Sequence, residues 1–412
     1  MTFTDTIQIH KHTSEITSSE RADLLESARE LAIQFAELGK ECDRNNHFPT
    51  ELVEPYKQSG IAAAAVPRRY GGLGADIYTT SMIGRELARG DAAIALAFNM
   101  HQAMVGILRA TPALDETARE VLMRRVASEN AIMCGTFSEA RAGLAGLADT
   151  IAVPDSRGGW RLTGRKNWST LIEGCDIVTL NATITDADGN LPETFGEHAA
   201  QEALFIFDKS TPGVSIDRTW NTHGMRATGS HTLVLDGAPV GPEAFGGNFR
   251  LGLVGEAEWA AILFAGVYLG LADRAYAEAV EILKRKHLGA TAGSQDTDVK
   301  QLGHVQHTLG RMKAELEIAS RTLEATALVA IENRPLELPL PVRKAYFDLT
   351  KVSVTEAAVS VTDDACRLVG GMAFSHGQIL ERSLRDARAG LLHSFTSDQL
   401  YTIWGRHELG ID

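Results

Sequence analysis

Beyond Phe245, apolar residues recur at steps of three and four through four long stretches, Val254 to His287, Lys300 to Ile331, Pro341 to Val369 and Ile379 to Leu409. That is the period of helices burying one stripe each. At 1.5 Å per residue the first would extend ~50 Å, and helices of such length predict a four-helix bundle, joined through Gly289 to Asp298 and Asn333 to Leu340. The same period marks the opening of the chain, where Leu24, Ala28, Leu31, Phe35 and Leu38 share a face, and it returns in Glu51 to Ser59, Tyr78 to Leu108 and Asp115 to Ser128. Between these helical ends lie short runs bounded by Gly, Asp, Asn and Pro: Trp160 to Leu162, Ile177 to Leu180, Ala203 to Phe207, Val214 to Ile216 and Thr232 to Leu235. These read as strands.

The expected fold class is mainly α with a central β domain. Its predicted parts are an N-terminal helical domain over 1–130, a middle β domain over 131–245 and a C-terminal helical bundle over 246–412. An α, β, α order is not a βαβ alternation, which disfavours a doubly wound nucleotide-binding sheet.

Composition narrows the partners. Forty Lys plus Arg stand against 53 Asp plus Glu, a formal net charge of -13, which repels phosphate backbones and anionic lipid. No nucleic-acid partner is expected. The four cysteines, Cys42, Cys134, Cys175 and Cys366, form no CxxC pair, so neither a disulfide framework nor a zinc site is indicated and a reducing cytoplasm fits best. Met1 to Glu15 lacks the apolar core of a signal peptide, and the run Trp259 to Ala272 is shorter than the ~20 residues that span a bilayer, so no membrane segment is expected. His304 and His307 lack a third ligand at a suggestive spacing, and no metal is expected. Gly224 to Gly229 has phosphate-loop spacing without its lysine, and no G-x-S-x-G elbow is present.

Five landmarks occur in order: Val66-Pro-Arg-Arg-Tyr-Gly-Gly-Leu-Gly74, Gly135-Thr-Phe-Ser-Glu139, Leu162-Thr-Gly-Arg-Lys-Asn-Trp-Ser-Thr170, Gly224-Met-Arg-Ala-Thr-Gly-Ser230, and Gly370-Gly371 followed by Glu381-Arg-Ser-Leu-Arg-Asp-Ala-Arg388. With these, the chain resembles the acyl-CoA dehydrogenase family of flavoproteins over nearly its whole length. A flavin ring presents a wide apolar face and a polar edge, so it needs an aromatic wall beside small hydroxyl or backbone donors. Trp168, Ser169 and Thr170 combine these. The resemblance implies that Trp168 lies against the ring, that Thr170 hydrogen-bonds near its reactive nitrogen and that Thr136, Phe137 and Ser138 meet its pyrimidine edge. It further implies that Arg285, Gly370 and Gly371 reach the cofactor of a neighbouring subunit, with Thr396 also at the cofactor, in a dimer or tetramer. A glutamine usual at the start of the second bundle helix is replaced by Gly303, and Arg367 stands where another is usual, so both FAD and FMN fit.

Desaturating a thioester needs a base within hydrogen-bond reach of the α proton. The family's commonest position for its glutamate falls on Ser394, and an alternative position falls on Ala260. Of the nearest carboxylates, Glu256, Glu258 and Asp398, only Glu256 keeps the helix face expected of a base, one turn away. His393, beside the vacant position, and His101 instead match histidines of flavin monooxygenases on this fold, such as the dibenzothiophene monooxygenases. Histidine's unperturbed pKa suits a proton donor to activated oxygen at neutral pH. The candidate catalytic residues are therefore His393, His101 and Ser394. The favoured expectation is a reduced-flavin monooxygenase acting on a small apolar molecule and supplied by a separate flavin reductase. The competing expectations are an acyl-CoA dehydrogenase coupled to an electron-transfer flavoprotein, and a non-catalytic flavin-binding or assembly protein.

Overall fold

The computed structural model describes residues 14–140, 147–249, 257–289, 296–332, 336, 338–393 and 396–411. The first helix, α1 (Ser18–Asn45), starts at a capping box in which Thr17 and Glu20 each accept the other's backbone N–H, and it buries Leu24, Ala28, Leu31 and Phe35. There follow α2 (Val53–Gln58), α3 (Ile77–Ala88), α4 (Ala92–Leu108) and α5 (Glu116–Glu129). The single stretch expected from Tyr78 to Leu108 is thus two helices. At Gly90 a Cβ would stand 2.1 Å from the Ala32 carbonyl oxygen, so only glycine lets the chain turn there against α1. Asp91 then caps α4 by accepting from the N–H groups of Ala93 and Ile94.

Eight strands follow: β1 (Met133–Thr136), β2 (Ile151–Pro154), β3 (Trp160–Ser169), β4 (Ile177–Ile184), β5 (Glu202–Asp208), β6 (Val214–Asp217), β7 (His231–Val240) and β8 (Phe245–Asn248), with α6 (Phe195–Gln201) between β4 and β5. They form one sheet in the order β6-β7-β3-β2-β4-β5-β8, and β1 pairs in parallel with β4. The run read as Trp160 to Leu162 extends to Ser169, which carries the strand directly into the aromatic and hydroxyl cluster.

The C-terminal part holds α7 (Ala257–Arg285), α8 (Gly303–Ile331), α9 (Leu340–Val369), α10 (Ile379–Gly390) and α11 (Ser397–Glu408). The fourth expected bundle stretch therefore divides in two, with His393 in the break. Glu258–Arg285 is long and apolar enough to cross a membrane by length and composition, yet 67% of its most apolar window is buried inside the fold. Its apolar faces pack against α3, α4 and α9 as the central rod of the core.

Candidate active site

The geometry is set by a bulge. The β3–β7 register shifts between Lys166 and Ser169, so one residue of β3 is squeezed off the sheet. That residue is Trp168, held at φ 54 with its side chain 68% exposed. Leu171 also has a positive φ, of 70°, so two non-glycine residues in left-handed backbone bracket Ser169 and Thr170. Such backbone costs ~1–3 kcal/mol per residue and persists where the surroundings over-determine it, often at ligand sites. An indole displayed on a strained bulge beside hydroxyl groups is the wall and edge that a flavin ring needs, so the residues present fit that group.

The hydroxyls around the bulge are already ordered. Thr136 and Ser169 are buried, their oxygens 2.6 Å apart, and Ser169 donates to the Lys166 carbonyl at 3.1 Å. Thr136 therefore donates to Ser169, and both side chains stitch β1 to β3, leaving these residues oxygen lone pairs and backbone groups for a ligand's polar edge. Ser138 sits in an isolated antiparallel bridge with Asn167, whose N–H donates to the Ser138 carbonyl at 2.8 Å. Phe137 packs on Phe249, with ring centroids 5.3 Å apart. Thr170 stands 2.7 Å from Ser230, which stands 2.8 Å from Thr228. The structure thus brings Thr136, Ser138, Trp168, Ser169 and Thr170 together.

A buried ion pair braces this edge from behind. Lys166, fully buried, donates to Glu139 at 2.6 Å and to Asn181 at 2.8 Å. Glu139 also accepts from the Thr150 hydroxyl at 2.6 Å. Burial works against charge on Glu139, but the Lys166 ammonium outweighs it and holds the carboxyl below its usual range.

The loop from Thr222 to Ser230 links the bulge to the bundle. Asp386 on α10 accepts the Met225 N–H at 2.5 Å, and Arg385 donates to the His223 carbonyl at 2.8 Å. Burial, with Asp91 nearby, pushes Asp386 up to about 7.

His393 follows α10 and is clasped on three sides. Its ring stacks on Phe264 at 4.6 Å, its Nε2 lies 2.9 Å from the Tyr268 hydroxyl, and its carbonyl accepts from Lys351 Nζ at 2.8 Å. Burial and the Lys351 charge push the imidazole down to about 3. At neutral pH the ring is therefore uncharged, unlike a histidine at its unperturbed pKa. Burial likewise lowers Lys351, to about 8, opposed by Asp348 and Glu356. Asp348 and Lys344 form a pair at 3.2 Å, and Glu258, itself buried, acts electrostatically on both. The sequence places Tyr268 in a Val267-Tyr-Leu-Gly270 pattern similar to that of the flavin monooxygenases but gives it no role, and sequence reasoning missed the cluster. Its available signal was Lys344, Asp348 and Lys351 at steps of four and three along one face of α9.

His101 has a different place. Its Nε2 lies 2.8 Å from the Ala62 carbonyl and its Nδ1 accepts the Met133 N–H at 3.0 Å, so the fully buried ring bridges two backbone segments. Burial pushes it down to about 4. Neither nitrogen is left for a reacting atom. Thr396 caps α11 in a capping box with Gln399, its hydroxyl accepting the Gln399 N–H. Arg285 is exposed and pairs with Glu281 at 3.3 Å, while Lys286 donates to the Val369 carbonyl at 2.7 Å, bringing this helix end beside Gly370 and Gly371. Arg285 lies ~26 Å along α7 from Tyr268, so this corner and the His393 clasp are far apart in one chain. Ser394 and Glu256 lie outside the described residues.

Comparison with known proteins agrees with this architecture. The chain matches family models described as the acyl-CoA dehydrogenase N-terminal domain over residues 18–130, middle domain over 134–238 and C-terminal domain over 262–398. It is 30% identical over 395 residues to YdbM of Bacillus subtilis (strain 168), named for the acyl-CoA dehydrogenases, covering 91% of this chain and 94% of that one. It is 29% identical to an L-evernosamine nitrososynthase of a Micromonospora species, covering 84% and 80% of the two chains. With the dibenzothiophene monooxygenase of Mycolicibacterium goodii it shares 26% identity, covering 95% and 94%. Among solved structures, butyryl-CoA dehydrogenase from Megasphaera elsdenii superposes with a TM-score of 0.82 at 22% identity, covering 96% of this chain and 99% of that one. FMN-bound TdsC from Paenibacillus sp. A11-2 does so with 0.81 at 20% identity, covering 93% and 96%.

Proposed function

The chain belongs to the acyl-CoA dehydrogenase family of flavin-dependent oxidoreductases, and we propose that within it the protein is a reduced-flavin monooxygenase acting on a small, largely apolar molecule. The observation that carries this reading is the Tyr268–His393 hydrogen bond beside the position where a dehydrogenase keeps its carboxylate. The Tyr268 phenol is fully buried, and leaving its O–H unpaired would cost ~1–3 kcal/mol. It therefore donates to Nε2, which places the imidazole proton on Nδ1. The result is a neutral N–H donor, suited to hold and polarise an oxygen atom and unsuited to take an α proton from a thioester.

A flavin held against Trp168 would supply two electrons and activate dioxygen. Trp168 would cover its ring, Thr170 would meet its reactive nitrogen, the backbone of Thr136 to Ser138 would meet its polar edge, and His393 would offer its N–H to the oxygen being transferred. Arg285, Gly370 and Gly371 would serve the site of a neighbouring subunit, making the working form a dimer or homotetramer. A separate reductase would supply the reduced flavin. The protein would act in the cytoplasm, in keeping with its free cysteines.

Kinship to a nitrososynthase and a dibenzothiophene monooxygenase by name supports oxygenation. The test supplies chemically reduced FMN or FAD, labelled dioxygen and an apolar probe such as indole; labelled oxygen in the product supports the reading, and its absence from every probe tried counts against it.

A second reading, acyl-thioester dehydrogenation passing electrons to an electron-transfer flavoprotein, is favoured by one feature. Glu258 is a buried carboxylate in the first turn of α7, two residues from the alternative base position. Two residues turn a helical side chain through ~200°, away from that position and toward Lys344 and Asp348.

A further inference from the structure

The hydroxyl chain behind Trp168 has only one consistent direction. Thr228 Oγ1 donates its single proton to the Met225 carbonyl at 2.9 Å. It can then only accept from Ser230, 2.8 Å away, so the Ser230 proton is committed to Thr228. Ser230 in turn can only accept from Thr170, 2.7 Å away, which commits the Thr170 proton as well. Protons therefore point from Thr170 to Ser230 to Thr228 to a carbonyl that cannot reverse the order. The outer side of the Thr170 oxygen carries lone pairs alone. The residue is fixed in place too, since its N–H donates to the Trp168 carbonyl at 2.9 Å and its own carbonyl accepts from Cys134 Sγ at 3.1 Å.

We propose that this directed chain makes Thr170 an obligatory acceptor that selects the reduced form of a flavin over the oxidised form. The inference rests on the reading that a flavin lies against Trp168 with its reactive nitrogen at Thr170. In the reduced ring that nitrogen bears a hydrogen and donates; in the oxidised ring it bears a lone pair and would face the lone pairs of Thr170. Two acceptors facing each other leave both unsatisfied, whereas donor and acceptor pair. The selection needs no charged residue and no movement, because the Met225 carbonyl sets the direction. It suits an enzyme that captures flavin already reduced elsewhere and keeps it until oxygen arrives.

The test compares binding of oxidised and dithionite-reduced FMN and FAD, under anaerobic conditions, to the wild type and to Ser230→Ala and Thr228→Val. Each substitution breaks the chain and returns to Thr170 a proton that it can donate outward. The expected result is that wild type binds the reduced form at least ~10-fold more tightly, and that either variant lowers this ratio ~10-fold, a fall of ~30 mV in the two-electron potential of the bound flavin. A purely structural role would weaken both redox forms equally; an unchanged ratio in both variants, or a wild type that prefers oxidised flavin, overturns the inference. A wild type that binds neither form, with its tryptophan fluorescence unchanged, overturns the flavin reading first and this inference with it.

Discussion

Lys166 Nζ and Glu139 Oε1 lie 2.6 Å apart with both side chains sealed from solvent, joining two segments that the sequence separates by 27 residues. Removing one member of a buried pair strands the other charge, at a cost of ~3–5 kcal/mol. Lys166→Met should lower stability by that amount and weaken flavin binding, because the Ser138–Asn167 bridge loses its brace. Adding Glu139→Gln should recover part of the loss. Urea midpoints of the single and double variants check this; equal destabilisation in both would show that the pair is not coupled.

On the proposed function, Trp168 serves a ligand more than the fold. Since its indole is exposed and its backbone strained, Trp168→Ala should change unfolding stability by less than ~1 kcal/mol. Loss of the stacked ring, worth ~0.5–1.5 kcal/mol beyond its buried area, should weaken flavin binding by ~10-fold or more. Parallel fluorescence titrations and thermal melts separate the two effects.

On the proposed function, Tyr268 sets the tautomer of His393. Tyr268→Phe removes only the hydroxyl, so KM should hold while kcat falls ~10-fold and more hydrogen peroxide escapes per product formed. His393→Ala should cost ~10²–10⁴-fold in product formation. Because His393 titrates at about 3, its ionisation should leave no inflection in the rate profile between pH 5 and 8. An inflection near 6.5 that vanishes in His393→Ala would contradict this assignment.

His101 should mark the acid side of the stability profile. Its folded pKa, depressed to about 4 by burial, lies below the ~6.5 of an unfolded chain, so the unfolded state binds the extra proton first. The contribution is absent above pH ~6.5. Stability then falls as pH drops toward 4, by up to ~3 kcal/mol when fully developed. His101→Gln should be somewhat less stable at pH 7.5 yet show a shallower loss toward pH 4.5, read from urea midpoints at each pH.

The contiguous parts of the site were legible in the sequence. Trp168, Ser169 and Thr170 are adjacent, and the end of a strand was enough to bring them together. The break at Gly90 was not, because the apolar period runs through it and only the Ala32 backbone, 58 residues earlier, requires a glycine. His101 matched a histidine near a flavin, but its two nitrogens are taken by backbone groups 39 and 32 residues distant, contacts that no local pattern encodes. Tyr268 meets His393 across 125 residues, and Lys351 meets it across 42. The depressed pKa of His393 is a product of that packing, so the sequence offers the histidine as a candidate without its protonation state.

The most direct test of an oxygen-handling rather than proton-abstracting site is anaerobic mixing of the oxidised flavoprotein with acyl-CoA thioesters of graded chain length while flavin absorbance is followed. The flavin should stay oxidised with every thioester, since a neutral His393 tied to Tyr268 cannot remove an α proton. Rapid bleaching by any one of them would contradict the account.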